Sequence, residues 1–147
     1  MRILLSVILT VLWSHSVYAQ SQDSYNGLWW NEDRSGIFEI IVVEQDITGI
    51  TRWGEKPEID RHNPDPALQN RSLKDITFLW GFNYDLKNNT WLDGQVYDPK
   101  KGKTYSAKMH LDETANILGM RGYIGISLFG RSATFERVQE QDIPVDF

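Results

Sequence analysis

Three acids and three arginines carry the chemistry that this sequence can offer: Asp60, Asp65 and Asp98, with Arg71, Arg121 and Arg131. An arginine fork presents parallel N–H donors to a carboxylate or phosphate, so this set can grip the anionic or polar head of a small molecule. A pair of acids can also hydrolyse a glycosidic bond, and Asp60, Asp65 and Asp98 are the candidates for that role. The same residues have a plainer use. Asp65 before Pro66 reads as a helix cap, Asp98 before Pro99 opens a turn, and the arginines pair with them to pin loops. Nothing in the sequence fixes the separations, so the readings stay side by side.

Metal and phosphate chemistry find less support. His62 and His110 are the only histidines beyond residue 19, and neither has a second histidine or a cysteine at ligand spacing, which argues against zinc. Asp60, Asn63 and Asp65 could offer oxygens to calcium, but the twelve-residue loop with its glycine is missing. Gly102-Lys103-Thr104 resembles the end of a phosphate loop. Tyr97 stands where that loop needs glycine, so the segment reads as a hairpin turn. No cofactor is expected.

Aromatic residues supply the other half of a candidate site. Phe78, Trp80 and Phe82 share one face of a strand pattern, and Trp91, Tyr97, Tyr105 and Tyr123 follow. Apolar walls from Phe78 and Trp80 with a rim of Tyr97, Tyr105, Arg121 and Tyr123 would make a ligand site of the usual composition, mostly apolar with a few convergent polar groups. An eight-stranded barrel has room for either such a ligand or its own side chains, so the stripe equally fits a filled core.

Short alternating segments predict strands over 28–31, 37–43, 47–53, 76–82, 91–97, 104–111, 117–123 and 131–138. Turn chemistry separates them, as in Asp33-Arg34-Ser35-Gly36, Lys87-Asn88-Asn89 and Asp98-Pro99-Lys100-Lys101-Gly102. One short helix is expected, with Asp65 as N-cap and Pro66 at its first position. Sequential short turns favour an all-β, eight-stranded antiparallel up-and-down barrel over an open sheet, which would leave two edges unpaired. In such a barrel alternate connections share an end. The long 54–73 loop therefore lies with the 31–36, 98–103 and 124–130 connections, and loops of that length are usually functional.

Residues 1–19 have the layout of a secretory signal, with Arg2, an apolar run and Val17-Tyr18-Ala19 before Gln20. The run is too short for a membrane span, and no cysteine follows to carry a lipid. The expected location is periplasmic or secreted, with residues 20–138 as the barrel domain and 139–147 as a polar tail. Of the 15 basic residues, Arg2 leaves with the signal, and 14 against 20 acids give a net charge of −6. That balance disfavours nucleic acid and anionic lipid as partners. An outer-membrane barrel would suit the terminal Phe147, but Pro144 and the many charges on the strands count against it.

Two resemblances have residues behind them. Gly27-Leu28-Trp29 with Arg137 near the end of the last strand resembles the lipocalin and wider calycin pattern, in which the arginine lies across the tryptophan at the barrel floor. The second covers nearly the whole chain beyond the signal. Asp60, Asn63-Pro64-Asp65-Pro66 and Arg71 resemble the bacterial exported family of domain of unknown function 2147, in order with Trp91-Leu92-Asp93-Gly94, Tyr97-Asp98-Pro99 and Gly102-Lys103-Thr104-Tyr105. Arg121-Gly122-Tyr123-Ile124-Gly125 and Phe129-Gly130-Arg131 complete the series. Asp93 stands where the family usually has glycine, and Phe135 where it has tryptophan. The resemblance implies an exported lipocalin-like barrel and no reaction.

The sequence thus predicts a lipocalin-like protein binding a small, partly apolar or amphiphilic ligand at the loop-rich end. Its alternatives are a hydrolase using the three aspartates, or a protein-docking barrel with a filled core.

Overall fold

The computed structural model describes residues 20–126, 128 and 130–147. The expected signal over 1–19 and Phe129 of the last motif lie outside them. Among these residues, nine strands form one antiparallel sheet: β1 (Gly27–Trp30), β2 (Gly36–Val43), β3 (Asp46–Gly54), β4 (Thr77–Trp80), β5 (Asn83–Asp85), β6 (Thr90–Asp98), β7 (Lys103–Leu111), β8 (Ile117–Tyr123) and β9 (Arg131–Glu136). Both β4 and β5 pair with β6, so they form one stave in two pieces and the wall has eight positions. The predicted 76–82 strand breaks at Gly81, whose φ of +72° cannot continue an extended chain. Opposite the break, the β6 ladder is interrupted between Trp91 and Gly94, and Asp93 takes φ +57° there. A left-handed position at a bulge favours glycine, which accounts for the family preference from which Asp93 departs.

The sheet closes where the two ends of the barrel domain meet. Trp29 bridges to Arg137, and the Val138 N–H donates to the Leu28 carbonyl at 2.9 Å. Closure removes the unpaired edges that an open meander would expose.

Alternation then sorts the side chains. Trp29, Phe38, Ile40, Ile47, Leu79, Phe82, Trp91, Met109 and Leu118 point inward with Tyr25 and form one buried cluster. Phe38 meets Phe78 and Phe135 edge-on at 5.3 and 5.2 Å between ring centres. The interior is thus occupied by the protein's own aromatic and aliphatic groups from the floor upward. A slip in the β3–β4 ladder, from Gly49↔Leu79 to Ile50↔Thr77, lets both Phe78 and Leu79 pack on the core. Trp80 is consequently turned out and is 38% exposed, against the expectation that it lines the interior.

A second apolar group lies outside the barrel wall. Trp30, Ile37 and Trp53 are register partners on β1, β2 and β3, and Trp30 meets Trp53 edge-on at 6.1 Å. The C-terminal segment reaches this group, with the Trp53 Nε1–H donating to Asp146 at 3.0 Å. Residues 139–147 therefore contribute contacts to the wall as well as polar groups.

The expected helix in the long loop is a single 3-10 turn, Pro66–Leu68. Asp65 does cap it, accepting from the Ala67 N–H at 2.9 Å. The turn cannot lengthen, because the chain must double back at once for the Arg71 carbonyl to accept from the Asp60 N–H at 3.0 Å. Asp65→Ala should cost about 1 kcal/mol, while Asp65→Asn should be nearly neutral, as urea melts of both variants would show. Equal large losses would mean that its charge, and not its acceptor, matters.

Candidate functional site

The long loop between β3 and β4 is held by one buried carboxylate. Asp60 has no exposed surface, and both of its carboxylate oxygens accept hydrogen bonds. The Tyr97 hydroxyl donates to Oδ1 at 2.6 Å. The Asn63 amide donates to Oδ2 at 2.7 Å, and Arg71 adds Nε–H at 2.9 Å and an Nη2 contact at 2.8 Å. Asn63 continues the network, its side-chain oxygen accepting from the Asp65 N–H and its carbonyl from Gln69.

Burial opposes charge on Asp60, but the donors from Tyr97, Asn63 and Arg71 outweigh it and hold the carboxyl below its usual range. Tyr97 moves the opposite way. Burial and the facing Asp60 push its hydroxyl up to about 12. The proton therefore stays on tyrosine and the charge on aspartate, the arrangement of a fixed structural bond and not of a proton-transfer pair.

Strand alternation shows where this network sits. Val96 packs on the barrel core, so Tyr97 beside it faces outward, and the loop folds over the outer wall at the end of β6. Beside the network the loop and the 98–103 turn enclose an open cleft of about 360 Å³. Pro57, Ile59, Leu73 and Pro99 supply apolar surface, while Arg61, His62 and Lys100 supply cationic and hydrogen-bonding groups, and Glu58 adds one carboxylate to the lining.

Of the predicted site residues, the structure gathers Asp60, Asn63, Arg71 and Tyr97 into the lock. Asp65 and Asp98 remain turn residues; Asp98 accepts from the Lys100 N–H at 3.0 Å and lies 4.0 Å from Lys101. With Asp60 buried and fully bonded, no acid pair for hydrolysis is assembled among these three. Trp91 belongs to the floor, edge-on to Tyr25 and tilted against Tyr84 at 4.9 Å. Tyr105 stays on the inward register near the mouth, with Lys101 5.9 Å above its ring. Arg131 is at the rim, 3.8 Å from Glu32. Arg121 and Tyr123 pair with Lys108 and Ser106, which places them on the outer wall and not at an interior rim.

The sequence reading passed over Arg61 and Lys100 and weighed His62 only as a metal ligand. Their signal was their position: they flank the fixed points Asp60 and Asp98 on two connections that parity puts at one end.

A closed eight-position meander, floored by a tryptophan under an arginine, is a lipocalin-like barrel. A solved structure with the same architecture is described as "Protein HP1028 from the human pathogen Helicobacter pylori belongs to the lipocalin family"; it superposes with a TM-score of 0.70 over 80% of this chain and 85% of that one, at 21% identity. Likeness at that identity speaks to fold. No curated protein matches the sequence. The family model described as "Uncharacterized protein conserved in bacteria (DUF2147)" matches residues 27–137, and the chain belongs to that family.

Proposed function

We propose that this chain is an exported binding protein of lipocalin type, periplasmic or secreted, that takes a small amphiphilic acid in the cleft between the long loop and the 98–103 turn. The observation that carries this reading is the cleft's composition: apolar walls beside Arg61 and Lys100, neither within ion-pairing distance of a carboxylate among the described residues. Cations next to apolar surface suit a ligand with a carboxylate at one end and a short apolar body. The volume is near the lower limit for small-molecule sites, which favours short and medium acids over long chains. The Asp60 network supports binding indirectly, by holding the loop in place before the ligand arrives.

The test is calorimetric titration with a panel of short- and medium-chain carboxylic acids and aromatic acids. Arg61→Ala and Lys100→Ala should each weaken the best binder roughly tenfold, the loss of one charge-assisted hydrogen bond. If no acid binds the folded wild type, or the double variant binds as well, this reading fails.

A further inference from the structure

The connection between β8 and β9 holds large apolar side chains in water. Ile124, Ile126 and Leu128 are 70%, 60% and 75% exposed. Single exposed aliphatics are ordinary, but three on one short loop make the kind of surface that marks an interaction site. The loop is secured at its base. Arg121 donates to the Leu128 carbonyl at 3.0 Å, and a Cβ on Gly130 would fall 2.4 Å from the Gly122 carbonyl oxygen, so the returning chain lies tight across the end of β8. The apolar groups are thus presented to solvent at the barrel rim.

Charge indicates what would cover them. Tyr123 at the end of β8 stands opposite Ser106 on β7, so the loop emerges beside the 98–103 turn. That turn carries Lys100, Lys101 and Lys103, all exposed, against Asp98, whose carboxylate accepts from the Lys100 N–H at 3.0 Å. The 124–130 connection has no acid, and Arg131 follows it, exposed and 3.8 Å from Glu32. The other two connections at this end, 31–36 and 54–73, each hold one more acid than base. The floor end is different: its connections and the adjoining strand ends carry Glu44, Asp46, Asp85, Asp112 and Glu113 against Lys87. The acidic excess weighs on the floor, and the lysines stand beside the apolar loop.

We propose that the rim formed by the 98–103 turn and the 124–130 connection docks on an anionic bilayer surface. Ile124, Ile126 and Leu128 enter the headgroup boundary, Lys101 and Lys103 reach lipid phosphates, and the acidic floor faces away. Shallow apolar burial with a few cations holds a protein on a membrane without spanning it. The whole-chain balance matters less than this placement, because screening confines the surface potential to about 10 Å from the headgroups. Neither Lys101 nor Lys103 lines the cleft assigned to the amphiphilic acid, so the two readings stand or fall separately.

The chain has no cysteine, so a single introduced one can carry an environment-sensitive fluorophore. The full chain labelled through Ile126→Cys should shift its emission to the blue with vesicles of phosphatidylglycerol and phosphatidylcholine, and far less with phosphatidylcholine alone. Labelled through Val43→Cys, which is 62% exposed at the floor end, it should not respond. Lys101→Gln and Lys103→Gln, added to the loop-labelled protein, should each raise the lipid concentration at half-change roughly fivefold. Lys87→Gln, which removes the same charge at the floor end, should leave it unchanged. No response at Ile126, an equal response at both labels, or an equal response to both kinds of vesicle overturns the proposal. So does a shift that grows with protein concentration in the absence of lipid and is unchanged by vesicles, since the loop would then meet a second copy of the chain.

Discussion

Asp60→Ala should destabilise the fold by about 3 kcal/mol, the largest loss expected from any side chain of the long loop. Removing the carboxylate strands the buried Tyr97 hydroxyl and leaves the Asn63 amide only its longer bond to the Tyr97 oxygen at 3.2 Å, and an unsatisfied buried donor costs roughly 1–3 kcal/mol. Arg71, about a third exposed, can recover water and adds less. A thermal melt should show the loss as a fall of roughly 10 °C in a domain of this size. Hydrogen exchange should show where it goes, with residues 57–73 losing protection before the strands do.

The same network predicts the pH limits of stability, and the two limbs have opposite signs. The Asp60 carboxyl is held below the ordinary value near about 4, so its contribution is present above that pH and is lost as pH falls through the lowered folded value. Tyr97 is raised from an ordinary value near about 10. Its contribution is present below that value and is lost as pH rises toward about 12. Asp60→Asn should flatten the acid limb and Tyr97→Phe the alkaline one. If Asp60→Ala melts within about 1 kcal/mol of the wild type, the loop is held by its apolar contacts and the lock is incidental.

How far the sequence disclosed this site follows from which interactions are local. Turn and cap chemistry acts within four residues, so the roles of Asp65 and Asp98 were readable from Asp-Pro pairs alone. Strand parity needs only a count of connections, and it correctly grouped the long loop with the 98–103 turn. What alternation alone could not show is a slip of one residue. The bulge at Gly49/Ile50 turned Phe78 and Leu79 together onto the core and sent Trp80 outside. The break at Gly81 then restored Phe82 to the interior. Register between neighbouring strands was equally hidden, so Tyr97, Arg121 and Tyr123 looked like an interior rim when their partners place them on the outer wall. The convergence of Asn63, Arg71 and Tyr97 on Asp60 involves separations of 3, 11 and 37 residues, and only the folded loop brings them to one carboxylate. Whether an aromatic stripe fills a barrel or lines a cavity is likewise a property of the whole wall, because each side chain's space is set by the staves opposite.

At the other end of the barrel, Trp29→Phe and Arg137→Met should each cost about 2–3 kcal/mol, and together they should cost less than the sum by about 1–2 kcal/mol. The Arg137 guanidinium lies 4.2 Å from the centre of the Trp29 ring, which has no exposed surface. Its donors go to the carbonyls of Ala115, Asn26 and Ser24 at 2.8, 2.7 and 2.6 Å, so one side chain joins the turn between β7 and β8 to the segment that leads into β1. The Gly-x-Trp triplet has its physical reason here. A Cβ on Gly27 would come 2.9 Å from the Arg137 Nη1, at a φ of +127° that other residues rarely adopt. The tryptophan is fixed in turn by its Nε1–H, which donates to the Tyr25 carbonyl at 3.1 Å. Arg137→Met keeps the length and apolar contact of the stem while removing the charge and all five donors, so the single variant measures carbonyl bonds and stacking together. Trp29→Phe leaves a ring in place but weakens its face for the cation and deletes the Nε1 bond. In the double variant the stacking loss is counted once, and the difference isolates it. Urea melts of the four proteins supply the cycle. Strictly additive losses would mean that Arg137 acts only through the three carbonyls and that the tryptophan beneath it is a spacer.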